Sequence, residues 1–226
     1  VKNKEEIRLT VKGDQIFMHT KTVQFVENGK KYIVDVRNHN KNIKLLEQCK
    51  NFKQPYLTHY VAKIEPNCFN QNKLAEDFKR GFKRTIKQNK KSWKNEPNYQ
   101  AIYTLEYKGS DAREIEGDYS IKTNLLSKKP LIDYHHIHLY LCFDCHTPYR
   151  PMDMNKLVIE TLNNIQGVSD AHYTKIPSTD LYYRNLNNDY ENATFYLQYI
   201  SKIEQKDGVQ YQKKSGSFKS IQPKYS

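Results

Sequence analysis

Tyr134-His135-His136-Ile137-His138-Leu139-Tyr140-Leu141-Cys142-Phe143 alternates with a period of two, which is the period of a β-strand. Successive strand side chains point to opposite faces, so Ile137, Leu139, Leu141 and Phe143 share one face and His136, His138, Tyr140 and Cys142 share the other. The apolar set is built for a core. The opposite set holds two imidazoles about 7 Å apart along a stiff strand, close enough to converge on one divalent cation. The ordinary alternative is a pair of half-buried strand histidines with a packing role only.

Working outward from this strand, the pattern predicts a strand over residues 56–64 and a helix over 72–88, where Leu74, Phe78, Phe82 and Ile86 recur every four positions among Lys79, Arg80, Lys83, Arg84 and Lys87. A second strand is expected over 101–107, then a long polar loop over 108–129. After the histidine strand come a helix over 154–165, with Leu157, Val158, Thr161, Leu162 and Ile165 on one side, a strand over 171–176 and a last helix over 191–203. The order βαββαβ, with the two inner strands joined directly, is that of an α+β ferredoxin-like split βαβ fold: an antiparallel sheet with both helices on one face and the other face available.

The first fifty residues read as an accessory segment. Strands over 22–26 and 31–36 form a hairpin through Glu27-Asn28-Gly29-Lys30, because Asn-Gly supplies the positive φ of a tight turn, and a short helix follows over 42–49. Residues 51–206 form the main domain. Residues 207–226, rich in Gly, Ser and Lys, read as a flexible polar tail.

Across 226 residues, 37 Lys and Arg outnumber 25 Asp and Glu, for a net charge of +12, and 18 tyrosines are interspersed among them. Cations attract phosphates and aromatic rings offer stacking surfaces to unpaired bases, so nucleic acid is the expected partner class; an AT-rich genome would produce the same enrichment in Lys, Asn, Ile and Tyr. No run of eighteen apolar residues or signal peptide occurs, which predicts a soluble cytoplasmic protein without a membrane partner. Beginning at Val1, the chain is expected to be processed or trimmed. Cys49, Cys68, Cys142 and Cys145 do not form a disulfide framework in a chain of this length. Cys142-x-x-Cys145-His146 has the letters of a c-type haem site, but Cys142 lies inside the alternating strand.

In the predicted topology the second and third strands are neighbours, and Glu106 shares a face with Ile102 and Thr104, opposite Tyr103 and Leu105. Glu106 can then stand beside His136 and His138, and one carboxylate with two imidazoles makes an open three-ligand site for Mg²⁺ or Mn²⁺. An exposed carboxylate paired with a lysine is the plain alternative for Glu106. On the last helix Tyr199 and Lys202 are three residues apart on one face, with Tyr196 a turn earlier. A phenol, with a pKa near ~10, becomes a nucleophile toward phosphorus when a nearby cation or ammonium favours its anion. The same tyrosines with Ile200 and Ile203 also make an ordinary core stripe.

Together, His136-Ile137-His138 and the later Tyr199-Ile200-Ser201-Lys202 resemble the HUH endonuclease superfamily, in which U is a hydrophobic residue, and within it the small rolling-circle replication initiators of plasmids and filamentous phages. Glu106 is similar to their third metal ligand, and Tyr56-Leu57-Thr58-His59-Tyr60 loosely echoes their first motif. The resemblance spans residues 55–206. It implies metal-dependent, sequence-specific nicking of single-stranded or hairpin origin DNA, with Tyr199 as nucleophile, Tyr196 as a possible second one, and Lys202 assisting. A 5′-phosphotyrosine would store the bond for rejoining. No Gly-x-x-x-x-Gly-Lys-Ser/Thr loop is present, so a host helicase would unwind the duplex and a host polymerase extend the 3′ end.

The same motifs serve relaxases and single-strand transposases. Relaxases usually place the tyrosine before the histidines, the reverse of the order here, and transposases are usually shorter. A non-catalytic module of the RRM type shares the split βαβ order and would read bases with Tyr134 and Tyr140 on the open face.

Overall fold

The computed structural model describes residues 7–12, 15–24, 31–90, 93, 96–108, 134–146, 148–176, 179–201 and 215–220. The elements are β1 (Ile7–Lys12), β2 (Gln15–Gln24), β3 (Lys31–Asp35), α1 (Val36–Gln48), β4 (Pro55–Ile64), α2 (Leu74–Asn89), β5 (Tyr99–Lys108), β6 (Tyr134–Asp144), α3 (Pro151–Asn163), β7 (Val168–Tyr173), β8 (Arg184–Asn185), α4 (Tyr190–Tyr196) and β9 (Ser215–Lys219). The expected polar loop over 108–129 lies almost wholly outside the described residues.

The main sheet runs β7-β4-β6-β5-β9, with β8 also paired to β4, and all its pairings are antiparallel. Within it, β4-α2-β5 and β6-α3-β7 interleave as two split βαβ units, so the α+β ferredoxin-like architecture read from the sequence is the one formed. Both long helices form for the expected reason. In α2 the four-residue spacing buries Leu74, Phe78, Phe82 and Ile86, while Glu76 and Asp77 in the first turn and Lys87 in the last suit the helix dipole. Pro151 opens α3, where its missing N–H costs nothing, and Leu157, Val158, Thr161 and Leu162 are buried. Gly81 lets the helices approach closely: a Cβ there would lie 3.2 Å from Thr161 Cγ2. Gly167 has φ +75°, and a Cβ would stand 2.6 Å from the Phe69 amide nitrogen, so the entry to β7 requires glycine.

One core fills the space between the sheet and α2 and α3, with Phe78, Phe82, Tyr99, Leu139, Leu141 and Phe143 at its centre. The other face of the sheet is only partly open. Leu57, Ile102, Tyr140 and Cys142 on that face pack with Leu46 and Cys49 from the α1 region and with Ala193, Leu197 and Ile200 from the α4 region. Residues 36–48 therefore form part of the domain's packing instead of an appendage. Asp35 begins α1, its carboxylate accepting hydrogen bonds from the Arg37 and Asn38 amides at 2.9 and 3.1 Å.

Three further departures from expectation are local. The N-terminal hairpin is two legs of a three-stranded sheet, β1-β2-β3, in which Thr22 pairs with Ile33; the expected Asn28-Gly29 turn lies outside the described residues. Part of the expected polar tail is β9, the edge strand beside β5, which places Phe218 in the core. The last helix does not run through 203. It stops at Tyr196, and Tyr199–Ser201 form a separate 3₁₀ turn.

Candidate metal centre

The site is built by strand register. Residues directly opposite on antiparallel strands share a face. On β6, His136 stands opposite Glu106 of β5 and Lys63 of β4, His138 opposite Thr104 and Val61, and Tyr140 opposite Ile102 and His59. The alternation that sends Ile137, Leu139, Leu141 and Phe143 into the core beneath α2 and α3 thus sets His136 and His138 beside Glu106, as the sequence predicts. His135 is on the helix side of the strand, and the pair that could hold a metal ion with Glu106 is His136 and His138.

The rings close the gap that the backbone leaves. The His136 and His138 centroids are 4.8 Å apart, and their Nε2 atoms lie 3.5 and 3.3 Å from the same Glu106 oxygen, Oε2. One donor atom from each residue falls within 4.8 Å of the other two. Glu106 has no exposed surface, and the histidines are 6% and 5% exposed. Among the described residues, this is the group of three or more His, Cys, Asp or Glu side chains able to hold a metal ion. An ionised carboxylate removed from water is costly unless a positive charge or strong donors compensate it. The donor set fits a divalent cation, which would neutralise Glu106 while taking lone pairs from two neutral imidazoles.

Tyr199 is brought to this centre. Its half-buried ring stands against His138, with centroids 5.1 Å apart, and also packs with Val34 near the end of β3. The 3₁₀ turn that carries it is pinned from α1: Asn42 Nδ2 donates to Ser201 Oγ at 3.1 Å, and the Ser201 hydroxyl donates to the Leu197 carbonyl at 3.3 Å, all in buried surroundings. Tyr196 takes another environment, with the Arg184 guanidinium over its ring at 4.2 Å and the Phe195 ring edge-on beside it. Lys202 lies outside the described residues.

Tyr140 also faces the site but is not a surface platform. It is 4% exposed, and burial, followed by the neighbouring Tyr199 and Glu106, pushes its phenol far above the ordinary tyrosine value, against a smaller opposing effect of Arg184. The base-reading role considered for Tyr140 is therefore not served by an open ring; the side chain of Tyr134 is outside the described residues.

Two residues near the centre carry no separate signal in the sequence. His59 of β4 lies against both β6 side chains, its ring parallel to Tyr140 at 4.2 Å and to His138 at 5.1 Å, with its Nε2 2.9 Å from His138 Nδ1. Thr174 Oγ1, just past β7, is 2.9 Å from His59 Nδ1. The clue to His59 was its place in the 56–60 stretch, two residues before Val61 and on the same strand face.

Cys49, Cys68, Cys142 and Cys145 are all free thiols, and no helix among the described residues is long and apolar enough to cross a membrane. No family model, curated protein or solved structure matches the chain.

Proposed function

We propose that this chain is a metal-dependent single-stranded DNA endonuclease and strand transferase of the HUH type that initiates rolling-circle replication. The observation that carries the reading is the Tyr199 ring against His138, within a cluster whose three donor atoms lie within 4.8 Å of one another. Packing alone explains a tyrosine beside a histidine; it does not explain a fully buried glutamate facing two imidazoles beside that tyrosine. The net charge of +12 supports a polyanionic substrate.

Glu106, His136 and His138 would hold the cation, Mg²⁺ or Mn²⁺, which supplies Lewis-acid polarisation of the scissile phosphate. The Tyr199 phenol loses its proton and its oxygen attacks phosphorus. The tyrosyl O–P bond forms as the P–O3′ bond breaks, and the departing 3′ oxygen takes up a proton to become a hydroxyl. One phosphoester replaces another, so no external energy source is needed and a 3′ hydroxyl can reverse the step. In this reading Lys202 favours the phenolate or holds the phosphate, and Tyr196, held under Arg184, is the candidate second nucleophile.

The test uses a 3′-labelled library of random single strands, with Mn²⁺ and a denaturing gel. The expected result is a covalent adduct that requires metal, disappears in Tyr199→Phe and persists in Tyr196→Phe. Loss in Tyr196→Phe alone would move the nucleophile. Tight, metal-independent binding without any adduct would replace the enzyme reading with a binding module of RRM-like topology.

A further inference from the structure

His59 joins the metal centre to the edge of the sheet. Thr174 Oγ1 is 2.9 Å from His59 Nδ1, and His59 Nε2 is 2.9 Å from His138 Nδ1. His138 Nε2 in turn faces Glu106 Oε2 at 3.3 Å. A neutral imidazole has one N–H and one lone pair, so each ring passes a choice of tautomer to the next.

The chain has two neutral arrangements. In one, the Thr174 hydroxyl donates to His59 Nδ1, His59 Nε2–H donates to His138 Nδ1, and His138 presents Nε2–H to Glu106. That state closes on itself and leaves no lone pair for a cation. In the other, His59 Nδ1–H donates to Thr174 Oγ1, His138 Nδ1–H donates to His59 Nε2, and the Nε2 lone pair of His138 faces the centre. Each has one contact the other lacks: in the first the His138 Nε2–H faces the Glu106 carboxylate at 3.3 Å, a contact that a cation on Glu106 displaces, and in the second, with its oxygen accepting from the ring, the Thr174 hydroxyl donates its hydrogen to the His59 carbonyl, 3.4 Å away. The first forfeits that bond, because the hydroxyl has a single hydrogen.

We infer that His59, oriented by Thr174, is a positioning residue that holds His138 in its Nδ1–H tautomer and so turns its Nε2 lone pair toward the cation. The inference rests on Glu106, His136 and His138 being a metal centre and is independent of whether DNA is cut. It also accounts for the stacking: with Tyr140 parallel to His59 at 4.2 Å, the ring has little freedom to swing away from His138. Partners that orient a ligating histidine typically contribute about 10- to 100-fold to metal affinity.

The experiment measures Mn²⁺ binding by titration calorimetry and histidine tautomers by ¹⁵N NMR on the metal-free full chain. His59→Phe keeps the stacked ring and removes both nitrogens; it is expected to weaken Mn²⁺ about 10- to 100-fold and to give His138 a mixture of tautomers. His59→Gln, whose carbonyl can accept from His138 Nδ1–H, is expected to recover much of the affinity. Thr174→Val, nearly the same shape, should shift His138 toward Nε2–H with a smaller loss. Wild-type protein that binds Mn²⁺ together with a folded His59→Phe that binds it equally tightly overturns the role of His59. If His59→Phe does not fold, an unchanged tautomer and affinity in Thr174→Val overturn it instead. Wild-type protein that takes up no Mn²⁺ overturns the metal centre itself and this role with it.

Discussion

The Tyr199 ring meets the His138 imidazole edge-on, with centroids 5.1 Å apart and planes inclined at 75°. The two come from distant parts of the chain, and the partner that fixes the Tyr199 turn, Asn42, comes from a third. Asn42→Ala removes the buried donor to Ser201 Oγ and leaves that hydroxyl with less than it needs, at a cost of about 1–3 kcal/mol. A lower urea midpoint with an unchanged slope should accompany slower adduct formation. A variant as stable and as active as the parent would show that α1 does not hold the tyrosine in place.

Metal binding should report on stability. A ligand that binds only the folded state at 100 times its dissociation constant adds about 2.7 kcal/mol, so Mn²⁺ is expected to raise the melting temperature of the wild-type chain by several degrees. Glu106→Gln and His136→Ala should lose that rise. An equal Mn²⁺-dependent shift in all three proteins would place the ion elsewhere.

The four thiols should separate sharply by reactivity. Cys68 is exposed, while Cys49, Cys142 and Cys145 are buried, and burial with the nearby Asp144 carboxylate pushes the Cys145 thiol up to about 12. Iodoacetamide at pH 8 should add one group to the native chain within minutes and four after unfolding in urea, counted by intact mass. Rapid addition of a second group to the native protein would contradict the packing beneath α1 or at the end of β6.

Asp170 and Lys63 form an exposed ion pair of 2.6 Å, and the Lys63 ammonium holds the Asp170 carboxyl below its ordinary value of 3.8. Because the folded-state value is the lower one, any contribution to stability is present above pH 4 and is lost as pH falls through the folded-state value. Solvent screening makes that contribution small. Asp170→Asn should therefore leave the urea midpoint at pH 7 nearly unchanged and slightly flatten its decline below pH 4. A large loss at pH 7 would point to a structural demand at this residue, whose φ is 51°.

Phe218 offers a check on β9. It is 7% exposed and packs with Phe78, Tyr99 and Tyr103. Phe218→Ala should cost about 3–5 kcal/mol, measured by denaturant unfolding, whereas a polar tail would tolerate the change.

What could be read from the residues divides along physical lines. Periodicity carried the main sheet and both long helices, because one stripe of α2 and the Ile137, Leu139, Leu141 and Phe143 face of β6 meet in one core. It also placed Glu106 beside His136, since that inference needs only the parity of two neighbouring strands. The short strand β9 was hidden by its composition: in Ser215-Gly216-Ser217-Phe218-Lys219 one buried aromatic supplies nearly all the signal, and Gly216 is there because a Cβ would lie 2.6 Å from Tyr103 Oη. Strand β1 had only the cue of Gly13-Asp14, a dipeptide of hairpin-turn type, after the alternating Ile7-Arg8-Leu9-Thr10-Val11-Lys12, and the apolar run Ile16-Phe17-Met18 that follows breaks the two-residue period. The break between Tyr196 and Tyr199 was invisible because the stripe of Tyr196, Tyr199 and Ile200 fits a continuous helix. His59 was legible as a strand residue, but its nitrogen-to-nitrogen contact with His138 depends on a pairing across β4 and β6 that residue type alone does not specify.

Strand β6 is hydrogen-bonded to β4 along one edge and to β5 along the other, each over ten residue pairs. Sliding it by a single position would drive His136 and His138 into the hydrocarbon interior and turn Ile137 and Leu139 outward, breaking both ladders at once. Correct threading and the gathering of Glu106, His136 and His138 are thereby enforced by the same alternation: a chain that mispairs here forfeits its core together with that cluster, so a stable misfold of this strand has little to hold it.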